Sequence, residues 1–215
     1  MSTTYSHIFE KIYNNAKSLK RLRLLILENK KLNSYKYGYP YKPDLISIDE
    51  EADYYTSLTT EELDKFQMGN CWDFTHYYCK WADEHNMRHY GIFMAAFSEK
   101  GNLVETHAFP VIKIDDQNFW AESAWQDYKG LYEFNTRTDL ISYAFDLWSK
   151  KVIGNYDDKI DFAIWKYQAE LLKYESIDAD EFIKQICWND GVEIDESRLL
   201  ADVKPINKWN ITSLE

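Results

Sequence analysis

The stretch from Cys71 to Trp125 constrains the fold most, because it combines one helical pattern with three apolar segments separated by turns. After Gly69, aromatic and small apolar residues recur at helical spacing and predict an amphipathic helix from Cys71 to Asn86. Strands are predicted over Arg88 to Phe97, Val104 to Ile114 and Phe119 to Trp125, with turns at Gly101-Asn102 and Asp115 to Asn118. A helix followed by an antiparallel meander, with further helices on either side, predicts an α+β domain.

The flanking regions are predicted to be mostly helical. One or two helices are expected from Tyr5 to Asn33, on apolar stripes that include Ile8, Phe9 and Ile12. An irregular segment follows from Tyr35 to Pro43 and a short extended one from Leu45 to Asp49, and Thr59 is expected to cap a short helix. Beyond Gly130, read as a break in the chain, the pattern predicts three helices and then a mixed segment that returns one strand to the sheet. These four segments are Thr138 to Lys150, Lys159 to Glu175, Asp178 to Trp188, and Val192 to Ile206.

The length of 215 residues suits a single domain. Within it we distinguish an N-terminal helical and irregular extension (1–58), a core (59–134) and a C-terminal part with helices and a returning strand (135–215).

Composition restricts the partners. The formal net charge is −11, which disfavours nucleic acid as the main partner because phosphates require clustered lysine and arginine. The basic residues between Lys17 and Lys31 are interpreted as the solvated face of a helix rather than as a docking patch. No apolar run approaches about 18 residues, so no membrane partner is expected, and Met1 to Glu10 lacks the features of a signal peptide. The expected location is therefore the cytoplasm.

The cysteine and histidine patterns predict neither a disulfide framework nor a metal centre. The three cysteines, Cys71, Cys79 and Cys187, show no CxxC spacing, so each is interpreted as a buried apolar residue or as a nucleophile. His76 and His85 lie on roughly opposite sides of the predicted helix, and with His89 they do not form a metal-binding pattern. We expect no cofactor and no metal.

Cys71 stands where a nucleophilic cysteine is expected. In Met68-Gly69-Asn70-Cys71-Trp72-Asp73, a turn glycine precedes a cysteine at the start of a helix. The helix dipole and the unpaired N–H groups of the first turn stabilise a thiolate there. The same groups can bind the oxyanion that forms in acyl transfer.

The hairpin that follows supplies a base and an acid. His107 lies on the second predicted strand and Glu122 on the third. A regular hairpin that turns near Asp115-Asp116 pairs residues equally distant from the turn, which places His107 opposite Glu122 on one face. Glu122 is therefore predicted to orient His107, as the acid does in a Cys-His-acid triad.

These three residues give the chain its resemblance to a known family. A cysteine that opens a helix, a histidine on a later strand and an acid on the adjacent strand resemble the transglutaminase-like superfamily, whose catalytic plan papain-like cysteine proteases share. The resemblance covers roughly Thr59 to Phe134, and Gly69-Asn70-Cys71-Trp72 is also similar to the papain-type Gly-Ser-Cys-Trp. The chain departs from the pattern in its third member, which is Glu rather than Asp. It also has Lys65 where the papain-type oxyanion glutamine stands.

The resemblance implies a papain-like fold and thiol-dependent acyl chemistry on an amide of a protein or peptide: hydrolysis, deamidation or transglutamination. Cys71 would be the nucleophile, His107 the general base and acid, and Glu122 the third member. Gln67, Asn70 and Trp72 are the candidates for the oxyanion hole or cleft. Two alternatives stay open: a non-catalytic binding module with an inherited triad, and an acyltransferase similar to the arylamine N-acetyltransferases, whose Gly-Gly-x-Cys-x-Glu signature this chain meets poorly.

Overall fold

A seven-stranded antiparallel sheet runs through the centre of the molecule, with strand order β8-β7-β3-β4-β5-β6-β9. The computed structural model describes residues 3–41, 56–156, 159–168 and 178–209. The strands of the sheet are β3 Arg88–Ser98, β4 Leu103–Ile114, β5 Gln117–Glu122, β6 Gly130–Phe134, β7 Ile160–Tyr167, β8 Val192–Glu193 and β9 Asn207–Trp209. A separate parallel pair joins β1 Lys36–Tyr37 to β2 Met68–Gly69, and β1 lies within the segment predicted to be irregular.

The helices follow the predicted pattern in most places. Their bounds are α1 Thr3–Asn33, α2 Thr60–Phe66, α3 Cys71–Glu84, α4 Arg137–Asn155 and α5 Ala179–Lys184. Thr59 caps α2 through a reciprocal pair of bonds with Glu62, as the sequence predicted. Asp178 caps α5, which continues into a π-helical turn over Gln185–Asp190.

The predicted meander is confirmed, and it is longer than predicted. The pairs β3–β4 and β4–β5 are antiparallel, and the second turn is the two-residue loop Asp115-Asp116 between the paired residues Ile114 and Gln117. Gly130 was expected to break the chain. Instead it begins β6, which pairs with β5. Its φ of +152° lies in the region that favours glycine, which explains a glycine at the first residue of this strand.

The segment from Lys159 to Glu175 was predicted to be helical, and this is wrong for its described part, where Ile160–Tyr167 forms β7 against β3. Its apolar residues point to both faces of the sheet, so the alternation of a half-buried strand is missing. Gly91 on β3 makes this pairing close: a Cβ there would lie 2.2 Å from the ring of Tyr167. The extended segment predicted from Leu45 to Asp49 lies outside the described residues.

Two apolar cores cover the two faces of the sheet. The first lies between the sheet and the helices α1, α2, α3 and α5, and includes Ala95, Ala108 and Ala121 from the strands. The second lies between the opposite face and α4, and includes Met94, Phe109 and Trp120. We call these the α3 core and the α4 core. None of the helices in the described ranges has the length and apolar character needed to cross a membrane.

Candidate active site

Cys71 is the first residue of α3, as predicted, and the start of this helix is heavily capped. The Asn70 side chain accepts the N–H groups of Trp72 and Asp73, and the Asp73 carboxylate accepts the N–H of Asn70. Asp73 is buried and also accepts the N–H of Leu58 at 2.7 Å. The cap therefore uses the N–H groups of Asn70, Trp72 and Asp73.

The Cys71 side chain lies in the α3 core. The residue is 4% exposed, and the hydroxyl of Thr75 donates to its carbonyl oxygen at 2.6 Å. Burial raises the pKa of Tyr167 well above its usual value, and the charges of Cys79 and Cys71 raise it further. The thiols of α3 thus lie within electrostatic reach of the Tyr167 phenol.

His107 and Glu122 are brought together as the sequence predicted. His107 Nε2 lies 3.0 Å from Glu122 Oε2, and both residues are buried. The predicted register is shifted by two residues: β4 and β5 pair from Ile114–Gln117 to Val111–Trp120, and the ladder ends there. Glu122 is therefore a diagonal neighbour of His107 rather than its direct partner. The Glu122 side chain is long enough to span that diagonal.

The second oxygen of Glu122 is fixed by the backbone that follows β5. Oε1 accepts the N–H of Ala124 at 2.7 Å and that of Trp125 at 2.8 Å. With Oε1 occupied by two donors, Oε2 is held towards His107 and accepts the hydrogen of Nε2. Nδ1, which has no hydrogen bond to a described residue, is then the basic nitrogen of the imidazole.

Aromatic rings enclose the pair. The His107 ring lies 6.0 Å from that of Phe109 and 5.8 Å from that of Trp125, measured between centroids. The ammonium group of Lys151 lies 5.6 Å from the centroid of Trp125 and forms an ion pair with Glu105. Because these rings exclude water, the charge of Glu122 acts on His107 with little screening.

Cys71 and His107 approach the sheet from different sides. Met94, which pairs with His107, and Phe109 belong to the α4 core, whereas Cys71 belongs to the α3 core. The hydrogen bond of His107 within the described residues is to Glu122, and none joins it to Cys71. The ladder of β4 and β5 ends at Val111 and Trp120, so His107 lies on a part of β4 that is not paired with β5.

The structure places the three predicted oxyanion or cleft candidates differently. Gln67 is exposed and ends α2 in a left-handed conformation with a φ of 51°. Asn70 is buried and serves as the cap of α3, so its side-chain oxygen takes up two of the N–H groups that had been expected to bind an oxyanion. Trp72 is buried and stacked on Phe182, with 4.0 Å between ring centroids, so it belongs to the core.

Among the described residues, the remaining thiols and imidazoles do not form a site. Cys79 is buried on α3, and burial raises the pKa of Cys187 to about 11. His76 is enclosed by Tyr167 and Phe182, and burial lowers its pKa to about 4. No group of three or more His, Cys, Asp or Glu residues that could hold a metal occurs within 3–41, 56–156, 159–168 and 178–209.

The groups that support the His107–Glu122 pair were not predicted from the sequence. Trp125 contributes both a ring beside His107 and an N–H to Glu122. Ser123 bonds to Tyr78 of α3, and α1 joins this contact through Asn29 and Asn33. Position next to Glu122 was the only available signal for Ser123 and Trp125. No pattern in the sequence marks the contribution of α1.

Comparison with known proteins adds no assignment: no protein-family model, curated protein or solved structure matches this chain.

Proposed function

We propose that this protein performs thiol-dependent acyl chemistry on an amide of a protein or peptide, with a papain-like, transglutaminase-like core. Cys71 is the nucleophile, His107 the general base and acid, and Glu122 the residue that orients His107. The observation that carries the proposal is the 3.0 Å bond from His107 to a buried carboxylate whose other oxygen is held by two backbone N–H groups. This arrangement fixes one tautomer of an imidazole, which a structural ion pair does not require.

The reaction proceeds in two steps. Nδ1 of His107 takes the thiol proton while the sulfur of Cys71 bonds to the amide carbon. The C–N bond then breaks, the proton passes to the leaving nitrogen, and a thioester and an amine or ammonia are formed. Water or a second amine then attacks the thioester, and Cys71 regains its proton through His107. Water as acceptor gives hydrolysis or deamidation, and an amine gives a cross-link.

The position of Cys71 at the first residue of α3 supports its role. The dipole of α3 favours the thiolate at this end of the helix. The proposed route between Cys71 and His107 passes where β4 and β5 are no longer paired. Bonds between a nucleophile and its base are often long without substrate and shorten when it binds, so the two groups are proposed to meet in the substrate complex.

One observation favours a second candidate, a binding module that has kept the triad residues without the reaction. Cys71 is buried, and the residues around it and around His107 belong to different cores. In such a module the His107–Glu122 bond would stiffen the sheet, and the thiol would stay separated from its base.

Trapping of the acyl intermediate is the test of the proposed reaction. Incubation with a set of glutamine-containing peptides and hydroxylamine is expected to release peptide hydroxamates, because hydroxylamine attacks a thioester. The product should disappear in Cys71→Ala and in His107→Ala. Cys79→Ala is the matched control, since it removes another buried thiol of the same helix and should keep the product. Hydroxamate formation that survives in Cys71→Ala would contradict the proposal.

Acetyl-coenzyme A, as a second acyl donor, distinguishes the proposed amide chemistry from the acyltransferase alternative. Coenzyme A carries several phosphates, and the net charge of −11 opposes its approach. Lys80, the nearest lysine of α3, is already paired with Glu61 at 3.1 Å. We therefore expect no acetyl group on Cys71 after incubation with acetyl-coenzyme A. An acetylated Cys71 would instead support the acetyltransferase reading.

A further inference from the structure

A buried network of hydrogen bonds joins the helix of Cys71 to the strand of Glu122. The phenol of Tyr78 on α3 and the hydroxyl of Ser123 lie 3.0 Å apart, and Ser123 follows Glu122 directly in the chain. Asn29 of α1 donates to the Tyr78 oxygen at 2.8 Å, and Ser123 donates to Oδ1 of Asn33 at 2.7 Å. Asn33 donates in turn to Oδ1 of Asn29 at 2.9 Å, which closes the ring of four side chains.

Burial makes the geometry of this ring strict. Tyr78 is fully buried, and Asn29 and Ser123 are each 1% exposed, so water cannot replace a lost partner. A buried polar group without a partner costs about 1–3 kcal/mol, which holds Tyr78, Asn29 and Ser123 in one arrangement, and Asn33 is half-buried beside them. Asn29 also donates to the carbonyl oxygen of Gly130, the residue that pairs with Glu122.

The ring connects the two halves of the proposed site. Tyr78 lies two turns after Cys71 on the same face of α3, so a bond at Tyr78 fixes how far the helix can slide or rotate against β5. At the other end of the network, Ser123 bonds to Tyr78 of α3, while its neighbour Glu122 bonds to His107. The charge of Glu122 also contributes to raising the pKa of Tyr78, after burial, which places the two groups within electrostatic reach.

We infer that Tyr78, Ser123, Asn29 and Asn33 form a positioning network that sets the approach of Cys71 to His107. The inference rests on the proposed function. In the described part of the chain His107 bonds to Glu122, so the separation of Cys71 and His107 depends on where α3 lies relative to β4 and β5. The network sets that placement by tying α3, α1 and the end of β5 to one another. Tyr78 and Ser123 act through Cys71 and Glu122 and do not contact the reacting atoms.

The test compares Tyr78→Phe with the wild type by following alkylation of Cys71 with iodoacetamide as a function of pH. Loss of the phenol oxygen frees α3 to shift, and displacements near 1 Å can cost about 100-fold in rate at a site of this kind. We expect Cys71 to react at least about tenfold more slowly at pH 6.5, and the midpoint of its pH profile to move to higher pH. Ser123→Ala should change the profile in the same direction.

Tyr35→Phe is the matched control. Its phenol is also buried at the α1 interface but bonds to Asp64 at 2.9 Å, so its loss weakens the protein without touching β5. Both tyrosine variants should lower the melting temperature, and only Tyr78→Phe should move the pH profile. An unmoved profile in Tyr78→Phe and Ser123→Ala, with a reactive wild-type Cys71, overturns the network and leaves the proposed function intact. A wild-type Cys71 that reacts as an ordinary thiol overturns both.

Discussion

Glu122→Gln is expected to move the hydrogen of the His107 imidazole from Nε2 to Nδ1. Oε1 of Glu122 accepts two backbone N–H groups, so the glutamine oxygen must take that position and turn its NH₂ group towards His107. Nε2 then has to accept a hydrogen bond, and the ring hydrogen moves to Nδ1. The nitrogen proposed to receive the thiol proton is thereby blocked, which in a comparable triad costs about 10⁴-fold in turnover.

Two measurements detect this change of tautomer. Nitrogen-15 spectra of histidine-labelled protein report directly which ring nitrogen carries the hydrogen. Alkylation of Cys71 at pH 6.5 should slow by up to about 100-fold, because a thiol with an ordinary pKa near 8.5 is about 1% ionised there. Glu105→Gln is the control, since Glu105 lies on β4 near the pair but bonds to Lys151. A tautomer and a rate that stay unchanged in Glu122→Gln would show that Glu122 does not orient His107.

Acid is expected to destabilise the protein through His76. Burial lowers the pKa of His76 to about 4 in the folded protein, against about 6.5 when the chain is unfolded. Between these values the unfolded chain binds a proton that the folded protein does not, so stability falls as the pH falls. The full loss, from pH 7 to below pH 4, is about 3 kcal/mol at 1.36 kcal/mol for each unit of pKa shift.

His76→Gln isolates this contribution, because glutamine does not titrate. Free energies of unfolding measured in urea at several pH values should fall less steeply in His76→Gln than in the wild type, by about 3 kcal/mol between pH 7 and pH 4. His85→Gln, which removes a half-buried imidazole just after the same helix, serves as the control. Parallel stability curves for the wild type and His76→Gln would contradict the assignment.

The elements defined by local pattern were predictable from the sequence. The start of α3 follows from Gly69 and the helical spacing after Cys71. His107 and Glu122 lie on the same face of the sheet because side chains alternate with a period of two along strands and because the two-residue loop sets the register. The shift by two residues escaped prediction because the loop pairs Ile114 with Gln117, which makes Glu122 a diagonal neighbour of His107, and side-chain length then decides the contact.

What could not be predicted depends on tertiary packing. β7 resembles a helix in sequence because both of its faces are covered, which only the completed sheet reveals. The assignment of Cys71 and His107 to different cores depends on how β3, β4 and β5 assemble. The ring around Tyr78 and Ser123 exists because α1 docks beside them, and Asn29 and Asn33 carry no signal of that in the sequence.

The rate at which each cysteine reacts with iodoacetamide, followed by mass spectrometry of the native protein across pH, is a direct test of Cys71 as a nucleophile served by His107 and Glu122. Burial raises the pKa of Cys187 to about 11, so that thiol should react slowly at neutral pH, and Cys79 is enclosed in the core. If His107 and Glu122 serve Cys71, Cys71 should be alkylated well below pH 8 and much faster than either. Equal rates for all three, or a Cys71 that reacts only after unfolding, would contradict the account.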